Sequence, residues 1–177
     1  ICADANMGYT SDQAAEFLKG TKAANIAYLE QPLAKENTTG LKQICDLQIA
    51  PIGLDESITN VSDIINSKKY GVAGVSLKTL KLGGISGVLR SASVCDALGM
   101  EINLAGKIAE TSIASAAVLQ LSAALREVNW GISPSHLYLA EDIVDKPIHP
   151  IQGVYSIPDH NGLGIEVTES KLKRFQI

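Results

Sequence analysis

Four short apolar runs in this chain each stop at a charged residue, and the four charges are almost evenly spaced. Ile1–Ala3 stops at Asp4, Ile26–Leu29 at Glu30, Ile52–Leu54 at Asp55 and Val72–Leu77 at Lys78, at intervals of 26, 25 and 23 residues. Segments of helical period lie between the runs: Asp12–Ala24 with Ser11 as candidate cap, Glu36–Asp46, and Val61–Lys69 capped by Thr59 or Asn60. Gly84–Leu98 continues the rhythm and stops at Gly99. Then come a strand at Met100–Leu104, an Ala-rich helix at Glu110–Leu125 and a further strand within Ile132–Leu139. The tail reads as a β-like pair, Gln152–Ile157 and Ile165–Val167, with a last helical turn at Glu169–Phe175. Apolar runs that do not alternate with polar residues suit strands covered on both faces. Strands alternating with helices predict βαβ units, a parallel sheet and the α/β class.

About six strand-helix units fit before the tail. A complete eightfold barrel needs ~250 residues, against 177 here. The prediction is a partial (β/α) TIM barrel, about strands 3–8, plus a short C-terminal extension. The chain opens on Ile1 within a strand, so the first barrel strands and any capping domain are expected upstream. Exposed edges of an open parallel sheet invite pairing, which predicts a homo-oligomer. An open, doubly wound binding module is the competing architecture, with its ligand where the strand order reverses.

Parallel order gives the four charges one address. All strand C-termini share a rim, and barrel active sites lie on that rim. Three carboxylates meeting there would repel, and some would take up protons. A divalent cation removes the conflict, and oxygen donors without Cys or His favour a hard ion, Mg²⁺ or Mn²⁺. Asp4, Glu30 and Asp55 are therefore candidate metal ligands. Lys78 is the candidate general acid/base, because a nearby metal and buried surroundings disfavour an ammonium. Lys81 either flanks the same site or is a solvated loop lysine. Gly83-Gly84-Ile85-Ser86-Gly87 lacks the G-x-G-x-x-G spacing of a dinucleotide site and reads as a tight turn into a helix.

Composition excludes other classes. Fifteen Lys+Arg against nineteen Asp+Glu give a net charge of -4, and without a basic patch nucleic acid is not an expected partner. The apolar runs fall far short of the ~20 residues that cross a bilayer. No signal-peptide pattern is visible, so a cytoplasmic protein without a membrane partner is expected. Cys2, Cys45 and Cys95 are odd in number and widely spaced, which predicts buried free thiols. His136, His149 and His160 are expected at surface or loop positions, and Trp130 in core packing.

The motifs Ala3-Asp4-Ala5-Asn6, Leu29-Glu30-Gln31-Pro32, Leu54-Asp55-Glu56-Ser57 and Leu77-Lys78 with Gly83-Gly84 resemble the strand-end motifs of the enolase superfamily, closest to its muconate-lactonizing-enzyme-like branch. Glu110-Thr111-Ser112, Tyr138–Val144 followed by Pro147, and Ile157-Pro158-Asp159 with Gly162-Leu163-Gly164 resemble later segments of the same pattern. The resemblance implies Asp4, Glu30 and Asp55 as Mg²⁺ ligands and Lys78 as general acid/base, with Asn6 and Glu56 supporting the metal shell. It implies that Glu110 hydrogen-bonds the substrate carboxylate or its enolate. The implied reaction is a Mg²⁺-dependent lyase or isomerase step on a small carboxylate substrate, opening with removal of the α-proton. Cycloisomerisation, racemisation or epimerisation, and dehydration all follow from that enolate. An alternative is a folded fragment without turnover that self-associates and binds metal weakly. Two departures narrow the implied chemistry. Asn103 and Leu104 stand where a mandelate-racemase-like histidine would lie, and Asn129-Trp130-Gly131-Ile132-Ser133 lacks the Asp-x-Asp of dipeptide-epimerase-like members.

Overall fold

The computed structural model of the chain describes residues 1–175. Its elements are β1 (Ala3–Asp4), α1 (Ser11–Gly20), a 3-10 turn (Lys22–Ala24), β2 (Leu29–Glu30), α2 (Thr38–Asp46), β3 (Ile52–Leu54) and α3 (Val61–Lys68). They continue with β4 (Gly74–Leu77), α4 (Thr79–Leu82), α5 (Ile85–Leu98), β5 (Glu101–Ala105), α6 (Ser112–Ala124), β6 (Ile132–Ser133), a 3-10 turn (His136–Tyr138) and α7 (Glu169–Arg174).

All six strands pair in parallel, and their spatial order is their chain order. The order never reverses, so there is no switch point and the doubly wound alternative falls. The sheet curls instead. Tyr28, just before β2, stacks on Trp130, just before β6, with ring centroids 3.9 Å apart and planes 7° off parallel. These six strands and their helices form part of a (β/α) barrel.

The helices pack on the outer face of the sheet, where Leu18, Leu29, Ile44, Ile52, Ile64, Val75, Val88 and Leu121 share one core. Local signals set the element ends. Asn60 caps α3 and Asp63 returns the bond, as a capping box. The cap of α1 is Thr10, boxed with Gln13, and Ser11 is already helical. Gly83 and Gly84 turn the chain from α4 into α5 at φ +79° and +83°, a region L side chains rarely enter. The Ala-rich helix begins at Ser112 rather than Glu110, and Thr111 gives it no side-chain cap. The cap comes from far away: Asp142 accepts from Ser112 N and Oγ and from Ile143 N.

Three further sequence expectations need correction. The tail pair does not form; its segments make single antiparallel bridges instead, Val144 with Val167 and Ile151 with Val154. His136 is buried, its Nδ1 2.7 Å from Ser115 Oγ and its Nε2 bonded to Ile148 O, because the tail folds back over α6. Cys2 is exposed, since β1 is an edge strand, while Cys95 is buried and Cys45 half-buried. Among the described residues no helix is long and apolar enough to cross a membrane.

Candidate active site

Register places the strand-end residues on one rim. Asp4 is level with Glu30, and Glu30 with Gly53. Alternate strand residues share a face, so Asp55 points the same way as Gly53, one step further toward the strand ends. Gly74 and Ser76 on β4, and Lys78 directly after it, follow the same alternation. A cavity of 870 Å³ opens at this rim. Asp4, Asn6, Asp55, Glu56, Lys78 and Lys81 line one part of it, and Ile108, Tyr138 and Tyr155 another.

Glu30 lies at the base of this arrangement and is buried. Its Oε1 accepts from Ser76 Oγ at 2.5 Å, and Asn103 Nδ2 donates to the same Ser76 oxygen at 3.0 Å. Burial pushes its carboxyl up to about 7; the Ser76 bond opposes this, and the charges of Asp4 and Asp55 add to it. Asp55 is also buried, and both of its oxygens meet ammonium groups. Lys78 Nζ lies 2.5 Å from Oδ2, and Lys81 Nζ 2.5 Å from Oδ1. Lys81 also donates to the main-chain oxygen of Asp55. Burial pulls the Lys81 ammonium below the ordinary lysine range, against the pull of Asp55.

Asp4 is exposed on edge strand β1. Asn6 holds it, donating from N and Nδ2 at 2.9 Å each, and also reaches Glu56 Oε1 at 3.2 Å. The second oxygen of Glu56 is buried and has no hydrogen-bond partner. Glu110 stands apart. Its Oε2 accepts from Lys107 N, closing the loop after β5, and it lines a neighbouring cavity rather than this one.

The donor set is all oxygen, which fits a hard divalent cation. The charge conflict at Glu30 and the orphaned oxygen of Glu56 fit one as well. Among the described residues, however, no three His, Cys, Asp or Glu side chains close on one metal position. Asp55 turns to its lysines and Asp4 to Asn6.

Two positioning residues escaped the sequence argument. Gln31, buried after β2, accepts from Asp55 N and Ser57 N at 3.1 Å and donates to Leu33 O and Ser57 Oγ at 2.9 Å. It thereby fixes the backbone that presents Asp55. Ser76 binds Glu30 across β3, and the β3 residue in register with Glu30 is Gly53, which puts no side chain in the way. The usable signal for Ser76 was its place two residues before Lys78, on the same face.

The family model described as Enolase C-terminal domain-like matches residues 1–171. Muconate cycloisomerase 1-2 of Acinetobacter lwoffii is 32% identical over 176 residues, covering 98% of this chain and 45% of that protein. L-Ala-D/L-Glu epimerase of Bacillus subtilis (strain 168) is 28% identical over 167 residues, covering 92% and 45%. The solved structure of the muconate lactonizing enzyme from Pseudomonas putida superposes with a TM-score of 0.90 at 30% identity, covering 98% of this chain and 49% of that one. The chain thus spans about half the length of these relatives. With the strand-end rim in place and the match running almost end to end, the chain belongs to the enolase C-terminal domain-like family.

Proposed function

We propose that this chain carries the metal-binding and acid/base side of an enzyme that removes a proton α to a carboxylate, a lyase or isomerase acting on a small carboxylate substrate. The observation that supports it most is the rim itself: Asp4, Glu30 and Asp55 stand on three consecutive strand ends, and Lys78 on the fourth bonds to Asp55. Two relatives, a cycloisomerase and an epimerase, are both isomerases by name. The domain assignment proposed is residues 1–177 as the C-terminal part of a barrel domain.

In this reading Asp4, Glu30 and Asp55 hold Mg²⁺, or Mn²⁺, with Asn6 and Glu56 behind them. When bound, the ion supplies Lewis acidity toward the substrate carboxylate. Lys78 does the proton work: as free amine its Nζ takes the α-proton, the C–H pair passes into the carboxylate as an enolate, and the ammonium can return the proton. Asp55 aims that Nζ into the cavity. Glu110 is proposed to hydrogen-bond the substrate carboxylate or enolate, which requires it to release Lys107 N. Ile108, Tyr138 and Tyr155 give the body of the substrate an apolar wall.

Calorimetric titration with Mn²⁺ tests the ligand set. Asp55→Ala, checked for folding by circular dichroism, is expected to bind at least about tenfold more weakly; unaltered binding overturns the assignment. Solvent-deuterium exchange at the α-carbon of candidate acids, followed by NMR, tests Lys78. Exchange that survives Lys78→Ala at the full rate assigns the base elsewhere.

A second reading has its own observation. Among the described residues β1 and β6 each pair with a strand on one side only, and no three-acid cluster is closed. On that reading the isolated chain folds, self-associates and binds metal weakly without turnover. It predicts Mn²⁺ binding without α-exchange.

A further inference from the structure

Lys81 occupies a place the proposed reaction does not use. It sits on the four-residue helix α4, and its side chain runs back to β3. There its ammonium meets the main-chain oxygen and Oδ1 of Asp55, while Lys78 covers Oδ2. Both lysine side chains are only 19% exposed, and that of Asp55 6%. A divalent ion on Asp55 would share an oxygen with an ammonium, and like charges that close repel strongly away from bulk water. One lysine has to yield. Lys78 directly follows β4 and is anchored by the sheet. Lys81 rides on a single helical turn closed by Gly83 in the left-handed region, and it lines the open cavity.

We propose that Lys81 is a resident stand-in for the divalent cation: it holds Asp55 in the cation-free protein and leaves Asp55 when the ion binds. This rests on the metal reading above and adds a residue that sets how tightly and how selectively the site takes its ion. An organic cation on Asp55 keeps the buried acid paired, so the cation-free fold stays intact. The same contact makes metal binding an exchange of one cation for another.

The full 177-residue chain tests this with Mn²⁺ as the probe. Lys81→Met and Lys81→Gln are expected to bind Mn²⁺ at least about tenfold more tightly than wild type in calorimetry. Both variants are also expected to melt lower than wild type in EDTA, with the gap narrowing at saturating Mn²⁺. Acetic anhydride labelling of the wild-type chain, read by mass spectrometry, needs no variant: acetylation of Lys81 is expected to rise on adding Mn²⁺. Equal or weaker affinity in the variants, or wild-type labelling of Lys81 that ignores Mn²⁺, overturns the stand-in role while leaving the metal reading intact. If neither wild type nor variants bind Mn²⁺, the metal reading itself fails and the stand-in role goes with it.

Discussion

Glu30 is a buried acid with two further acids in electrostatic reach, and its carboxyl is pushed up to about 7 from an ordinary 4.5. Below pH ~4.5 both folded and unfolded chains hold this proton, so it contributes nothing to the balance. Between ~4.5 and 7 the folded chain holds a proton that the unfolded chain has lost, and stability falls as pH rises. Above 7 the buried carboxylate must be charged, and the accumulated loss is roughly 3 kcal/mol. Urea denaturation in EDTA across pH 4–8 should show this slope, and Glu30→Gln should flatten it. Mn²⁺ is expected to reverse the loss if Glu30 is a ligand. The positions of Asp4, Glu30, Asp55 and Lys78 were legible because a residue that ends an apolar run in a parallel sheet must reach the same rim. Lys81, Gln31 and Ser76 were not, because their roles depend on where a side chain reaches after the chain has turned. Three of those contacts cross between βα units, the Ser76–Glu30 bond skipping one, and no local pattern encodes them.

At the scale of elements, the floor beneath the site is an aromatic stack resting on two glycines. A Cβ at Gly53 would lie 2.7 Å from a Trp130 ring carbon, and at Gly74 2.6 Å from Glu101 O and 2.7 Å from the same ring. Backbone and a stacked indole cannot step aside cheaply, so Gly74→Ala should cost about 1–3 kcal/mol in urea denaturation. Gly53→Ala is expected to disturb Trp130 emission with it. The start of α6 makes a second case. Asp142 accepts from two buried donors of Ser112 and from Ile143 N. Asp142→Ala strips the helix of its cap and leaves N–H groups buried, a loss of roughly 2–3 kcal/mol. It should also loosen the tail, seen as faster amide exchange from Asp142 onward. Strands and helices up to β5 were read within a few residues, since their periodicity and caps are local, except the single turn of α4, which was missed. The tail was misread because its apolar residues Ile151, Val154, Ile157 and Val167 stay exposed and its segments meet only in single bridges, which no local pattern announces.

The whole molecule is a run of neighbours. β1 and β6 end the sheet, and each leaves one row of backbone groups without a strand partner among the described residues. Such edges recruit strands, so light scattering of the 177-residue chain should give a mass above that of one copy; a clean monomer at micromolar concentration overturns this expectation. The fold class was readable because six repeats of one unit allow few topologies. The curl was expected with the barrel; the contact that shows it, Tyr28 meeting Trp130 across the interior, was not legible. The strictly sequential strand order carries a consequence for biosynthesis. Each strand docks on one already made, as every pairing joins consecutive strands. A nascent chain can therefore lay down these six strands by accretion while the ribosome is still translating the rest, each pairing with the strand made just before it.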